Sequence, residues 1–166
     1  DMGLIGNALQ GLYVGMPCIL MSPVAFLQKP FRWLQAITRY QGTFSGAPNF
    51  AYDLCVKKIT PEQRQALDLS SWKNAFNGSE PVRHDTLERF AAAFESCGLQ
   101  RETLYPCYGL AEATLMAAGG AWNALPVSGC FDKEALEKHH VTPLDKKAAG
   151  NNVSLLMSSG TTREEQ

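Results

Sequence analysis

The chain has 166 residues, 45% of them hydrophobic and 19% charged, with a formal net charge of −1. A chain this long buries roughly two-thirds of its unfolded surface, enough for a globular domain with a core of its own. The near-neutral balance excludes the basic field of a nucleic-acid binder or a polybasic membrane anchor, and no apolar run reaches the roughly 18 residues of a membrane span.

The first residues, Asp1-Met2-Gly3, carry no basic n-region, so no signal peptide is expected. The cysteines (Cys18, Cys55, Cys97, Cys107 and Cys130) are odd in number and scattered, without a Cys-x-x-Cys pair. That pattern predicts reduced thiols in a cytoplasmic protein and neither a disulfide framework nor a zinc site. Cys55, on an apolar helical pattern, is expected to be a small buried hydrophobe.

Leu4, Ile5, Ala8, Leu9 and Leu12 recur at helical spacing and predict a helix over 3–13, stopped by Gly15 and Pro17. The apolar run Cys18-Ile19-Leu20-Met21 predicts a short buried strand, and Ser22-Pro23 a turn. Pro30 opens a helix over 31–40 whose apolar face is Phe31, Leu34, Ala36 and Ile37. A strand over 43–45 runs into Gly46-Ala47-Pro48, and a helix over 49–57 follows with Phe50, Ala51 and Leu54 inward. Thr60 caps a short helix through Leu67, and Asp68-Leu69-Ser70-Ser71 is linker. A third strand covers 72–77 and a long helix 82–97, with Leu87, Phe90, Ala91 and Phe94 on one face and Gly98 closing it. Further strands are predicted from 104, over 115–118, over 127–131 and over 153–157. Asp132 caps a charged helix through Lys138, and 146–152 is a polar loop. Strands alternating with helices predict an α/β fold with a parallel or mixed sheet and flanking helices.

In open α/β sheets, ligands bind in loops that follow strands. Tyr105-Pro106-Cys107-Tyr108-Gly109-Leu110-Ala111-Glu112-Ala113-Thr114 is one such stretch. An aromatic residue before Gly can lay its ring against a planar ligand, and a carboxylate three residues later can hold Mg²⁺ with phosphate oxygens. A buried Tyr at a strand end and a Glu opening a helix would give the same letters. Asn77-Gly78-Ser79-Glu80-Pro81 has small residues where a flat base could lie against backbone, or is an ordinary β-to-α turn. The adjacent His139 and His140 point apart on a helix and lack further ligands, so they do not make a metal site. No Gly-x-Ser-x-Gly elbow and no lysine-bearing phosphate loop is present.

Tyr108-Gly109-Leu110-Ala111-Glu112-Ala113-Thr114 resembles the signature of the acyl-adenylating superfamily, and its Ala-Glu-Ala form is similar to that of fatty-acyl-AMP ligases. Asp1-Met2-Gly3-Leu4-Ile5-Gly6, Ser45-Gly46-Ala47-Pro48-Asn49-Phe50-Ala51-Tyr52-Asp53-Leu54-Cys55 and Phe76-Asn77-Gly78-Ser79-Glu80-Pro81-Val82-Arg83 resemble further family motifs, in the family's order. The resemblance implies part of the N-terminal domain of an adenylate-forming enzyme, using ATP and Mg²⁺ to activate a fatty acid for transfer to an acyl carrier protein. It places the adenine between Tyr108 and the loop Asn77, Gly78, Ser79, Glu80 and Pro81, with Gly109, Leu110 and Ala111 completing the nucleotide side. It makes Glu112 the metal carboxylate. It assigns Ser45, Gly46, Ala47, Pro48, Asn49 and Phe50 to the wall of the acyl pocket, with Tyr52 a further liner and Asp1 at its carboxylate end. Ala111 stands where the wider superfamily has a Thr that contacts phosphate, which agrees with the narrower branch.

The same resemblance divides the chain into an α/β core over 1–126, an insertion over 127–145 and a returning strand with a polar tail over 146–166. The part Phe131-Asp132-Lys133-Glu134-Ala135-Leu136 matches the insertion that acyl-CoA synthetases lack and that is linked with failure to use CoA. The family's phosphate loop, ribose-binding Asp and catalytic Lys are not among these residues, so the chain alone is expected to be inactive. Unpaired sheet edges are expected to allow self-association. An acyl-CoA synthetase, a peptide-synthetase adenylation domain and a non-catalytic nucleotide-binding module are the alternatives.

Overall fold

Phe31, Leu34 and Ile37, three residues apart, are all buried on one side of a ten-residue helix, as their spacing requires. The computed structural model describes residues 2–145 and 152–162. In order, a π-helical turn (Leu4–Leu9) leads into α1 (Gln10–Val14), then α2 (Pro23–Gln28), α3 (Phe31–Tyr40), β1 (Phe44–Gly46), α4 (Asn49–Lys58), α5 (Pro61–Arg64) and β2 (Asn74–Asn77). There follow α6 (His84–Phe94), β3 (Leu104–Gly109), β4 (Met116–Gly119), β5 (Ser128–Asp132), α7 (Lys133–Glu137), β6 (Pro143–Leu144), β7 (Val153–Met157) and β8 (Thr161–Thr162).

The main sheet is mixed, in the order β1-β2-β3-β4-β8. β1, β2 and β3 are parallel, joined through α4 and α6, while β4 runs antiparallel to β3 and β8 antiparallel to β4. β6, β5 and β7 form a separate three-stranded antiparallel sheet. Asp132 caps α7 as its sequence predicted, accepting the Ala135 N–H at 2.7 Å. The expected polar loop at 146–152 lies, apart from Asn152, outside the described residues.

The core gathers α3, α4 and α6 against the parallel strands. Leu34, Tyr52, Cys55, Leu69, Trp72, Phe90 and Phe94 are its buried centre. Trp33 meets both Tyr52 and Trp72 edge-on with ring centroids 5.4 Å apart, and Tyr52 meets Phe90 at 4.8 Å. Edge-to-face pairs of this kind add about 0.5–1.5 kcal/mol each beyond burial. Asp53 on α4 accepts from both Thr86 and Arg89 on α6, fixing the rotation of one helix against the other. Gly98, at φ 86°, ends the helical run after α6, as expected of a glycine cap.

Three expectations are corrected. The run Cys18-Ile19-Leu20-Met21 is not a strand; it is exposed and pairs with no strand among the described residues, because apolar character alone supplies no ladder partner. Ser22-Pro23 does not turn the chain but opens α2, with Ser22 at the N-cap position and Pro23 at the first helical position, where its missing N–H costs nothing. On α4 the inward residues are Ala51, Tyr52 and Cys55; Phe50 is 54% exposed and Leu54 only half-buried. The buried stripe at i, i+1 and i+4 is set by α6 lying across the helix, which the sequence of α4 alone does not reveal.

Candidate functional site

Parallel strands bring their carboxyl ends to one edge of the sheet. Gly46 pairs with Phe76, and Asn77 with Pro106, so the residues following β1, β2 and β3 emerge side by side. The loop Gly78-Ser79-Glu80-Pro81 therefore borders the Tyr108–Gly109 end of β3, which the sequence reading required of an adenine cleft. Gly78 is buried against Cys107 so closely that a Cβ would stand 3.0 Å from the Cys107 carbonyl oxygen. Gly46 is tighter still, since a Cβ there would fall on the Phe76 carbonyl and ring. Glycine is what lets these backbones meet.

Tyr108 lies in β3 itself, not in the loop beyond it, and its ring is 55% exposed. The ladder with β4 shifts register between Tyr108 and Gly109, a bulge that sets off the turn to follow. Gly109 packs on the Leu115 carbonyl where a Cβ has no room. Leu110 N–H donates to the Leu115 carbonyl at 2.9 Å and closes the turn, whose 3₁₀ segment is Ala111–Ala113. Glu112 stands exposed at its middle. No Lys or Arg among the described residues pairs with Glu112 or Glu80. No three potential ligands cluster for a metal among the described residues. A cation at Glu112 would complete its shell with phosphate oxygens and water, and a single unpaired carboxylate fits Mg²⁺ held that way.

Both loops hold a non-glycine residue at positive φ: Ser79 at 69° and Thr114 at 66°. Such residues cost about 1–3 kcal/mol and persist only where the surroundings fix them. Ser79 is exposed, and its hydroxyl contacts the Met2 sulfur at 3.3 Å. Below the loop the Cys107 thiol reaches the Asn77 carbonyl at 3.5 Å, and burial pushes this thiol above its ordinary range. The Tyr52 hydroxyl, buried and likewise pushed well up by desolvation, donates to the Phe76 carbonyl at 2.8 Å.

The residues expected in the acyl wall fall into two groups. Gly46, Ala47 and Pro48 are half-buried along the β1–α4 connection, and the Phe50 ring is exposed beside them. Ser45 and Asn49 turn inward. Ser45 Oγ accepts from Trp33 Nε1 at 2.9 Å, and Asn49 is buried under the 77–83 segment. Tyr52 is wholly core and lines nothing. Asn77 is wholly buried, its side chain donating to Asn49 and its carbonyl accepting from the Cys107 thiol. Asp1 lies outside the described residues. The sequence reading missed Cys107, Met2 and the inward role of Asn49. An Asn just after Pro48, at the first position of α4 and followed by Phe50 and Ala51, was the one available signal for the last.

All five cysteines are free. No helix among the described residues is long and apolar enough to cross a membrane.

Residues 1–133 match the family model described as AMP-binding enzyme. The chain is 50% identical over 141 residues to a medium-chain-fatty-acid–[acyl-carrier-protein] ligase of Teredinibacter turnerae, covering 85% of this chain and 22% of that protein. It is 46% identical over 160 residues to a ligase of the same description from Moorena producens, covering 96% of this chain and 27% of the relative. The fold superposes with a TM-score of 0.91 on a crystal structure of a fatty acyl-adenylate ligase from L. pneumophila in complex with acyl adenylate and pyrophosphate. That match has 49% identity and covers 98% of this chain and 28% of the other. The chain thus spans about a quarter of the length of the curated relatives it matches.

Proposed function

The chain belongs to the AMP-binding enzyme family, and we propose that it forms the adenine side of the active site of a fatty-acyl-AMP ligase. The observation that carries this is the juxtaposition, through the Asn77–Pro106 register, of the Gly78-Ser79-Glu80-Pro81 backbone with Tyr108, ahead of a Glu112 that is exposed and forms no ion pair among the described residues. The relatives described as fatty-acid–[acyl-carrier-protein] ligases support the substrate class.

In this reading the adenine stacks on the exposed Tyr108 ring, and peptide groups near Ser79 and Glu80 meet its exocyclic amine. Gly109, Leu110 and Ala111 carry the chain from the ring to the phosphates. A fatty-acid carboxylate oxygen bonds to the α-phosphorus of ATP as the bond to pyrophosphate breaks, giving acyl-adenylate. A thiol on an acyl carrier protein then takes the acyl group and releases AMP. Glu112 would hold Mg²⁺, and that ion would supply positive charge opposite the phosphates. Gly46, Ala47, Pro48 and Phe50 border the alkyl tail, where each buried methylene contributes about 0.8 kcal/mol. Residues 127–145, which include β5, α7 and β6, are the insertion that turns the acceptor from CoA to carrier protein. A cytoplasmic location is part of this proposal, on the reduced thiols expected of the scattered cysteines. Nothing among the described residues supports self-association through sheet edges.

Calorimetry with a nonhydrolysable acyl-sulfamoyl-adenosine is the direct test. Binding that Tyr108→Ala weakens is expected; no binding, or binding indifferent to that change, overturns the placement of the nucleotide. From a full-length ligase containing this chain, acyl transfer to a phosphopantetheinylated carrier protein and not to CoA is expected, and transfer to CoA would favour an acyl-CoA synthetase instead.

A further inference from the structure

One buried side chain bonds to the loop proposed to face the adenine on both sides of its tip. Asn49, at the first position of α4, is buried and makes three hydrogen bonds to it. Its Nδ2 donates to the Pro81 carbonyl at 3.0 Å, and its Oδ1 accepts from Arg83 N–H at 3.1 Å and from Asn77 Nδ2 at 3.1 Å. The orientation of this amide is dictated by its partners: the Pro81 carbonyl can only accept and the Arg83 N–H can only donate. Oδ1 must therefore face Arg83, and Asn77 must present its own donor to that oxygen. The amide thus bonds on both sides of Gly78-Ser79-Glu80, to Asn77 before it and to Pro81 and Arg83 after it. Between those anchors sits Ser79 at φ 69°, a conformation that side chains other than glycine resist. Exposed Ser79 and Glu80 have no buried apolar surface of their own to hold that shape.

We propose that Asn49 is a positioning residue for the nucleotide: it clamps the 77–83 loop in the conformation, left-handed at Ser79, that turns the Ser79 and Glu80 peptide groups toward the ligand. This rests on the nucleotide reading above, and it moves Asn49 from the acyl wall to the adenine side. Leucine or alanine at 49 supplies neither donor nor acceptor, and serine offers a single, shorter-reaching oxygen in place of the two polar atoms that meet Pro81 and Arg83. Aspartate keeps the acceptor but sets a second acceptor against the Pro81 carbonyl.

The test compares the parent chain, Asn49→Ala, Ser79→Gly and the double variant. Acyl-sulfamoyl-adenosine affinity is read by calorimetry, and exchange of the Ser79, Glu80 and Arg83 amides by hydrogen–deuterium exchange. Asn49→Ala is expected to weaken binding about tenfold and to speed exchange of those amides, while amides in β2 and α6 stay protected. In the Ser79→Gly background, where the left-handed conformation costs little, the same change is expected to cost less than about threefold. A purely structural role would give equal losses in both backgrounds, and that result overturns the proposal; so does unchanged exchange at Arg83. If Asn49→Ala does not fold, Asn49→Asp, of nearly equal volume, carries the same comparison. A parent chain that binds no mimic refutes the nucleotide reading, and the exchange arm still decides whether Asn49 holds the loop.

Discussion

Gly78 lies against Cys107 with room for a hydrogen and no more: a Cβ would stand 3.0 Å from the Cys107 carbonyl oxygen and 3.2 Å from its sulfur. This contact joins the end of β2 to β3 where the two candidate nucleotide segments begin. Gly78→Ala is expected to push the strand ends apart, costing about 1–3 kcal/mol in urea unfolding, the range for overpacking. Gly46→Ala, which places its methyl on the Phe76 carbonyl, is expected to cost more. Equal or greater stability of Gly78→Ala would show that the strand ends are not packed this tightly.

Tyr108 is the opposite case, because its ring is already half in water. Tyr108→Ala is expected to change stability by less than about 0.5 kcal/mol, as at other exposed sites. Its effect belongs to the ligand: base stacking is worth about 1–3 kcal/mol, so affinity for acyl-sulfamoyl-adenosine is expected to fall about tenfold or more. Tyr108→Phe, which keeps the ring, is expected to bind close to the parent. Loss of folding in Tyr108→Ala would instead mark the ring as core.

Glu112 carries no ion pair among the described residues, so removing its charge disrupts no internal contact. Glu112→Gln is expected to leave the unfolding midpoint unchanged and to weaken ATP binding at least about tenfold with Mg²⁺ present, from the loss of one charge opposite the cation. With the metal chelated, parent and variant are expected to bind ATP alike. A difference that survives chelation would assign Glu112 to the nucleotide directly.

Burial pushes the Cys55 thiol up from 9.0 to about 12. The unfolded chain loses this proton near the ordinary value, whereas the folded chain keeps it. The contribution to stability is fully present below about pH 9 and is lost as the pH rises through about 12. Tyr52 and Cys107, also raised by burial, act in the same direction. The urea midpoint is expected to fall above about pH 9, and Cys55→Ala to make that fall shallower at some cost in stability near neutrality. An unchanged alkaline slope in Cys55→Ala would mean that the thiol is solvated.

The sequence by itself determined the order of strands and helices from β1 to β4, the inward faces of α3 and α6, the caps at Gly98 and Asp132, and the two loops that follow β2 and β3. These follow from periodicity and from backbone limits on Gly and Pro, which act within a few residues and so are written in any short window. The tertiary structure alone decided which side of α4 is buried, that Cys18-Ile19-Leu20-Met21 pairs with no strand among the described residues, and that Ser45 and Asn49 turn inward. Those outcomes depend on partners far along the chain. Asn49 reaches Asn77, Pro81 and Arg83 across 28, 32 and 34 residues. A buried amide must find its donors and acceptors wherever folding places them, and no local pattern records where that is.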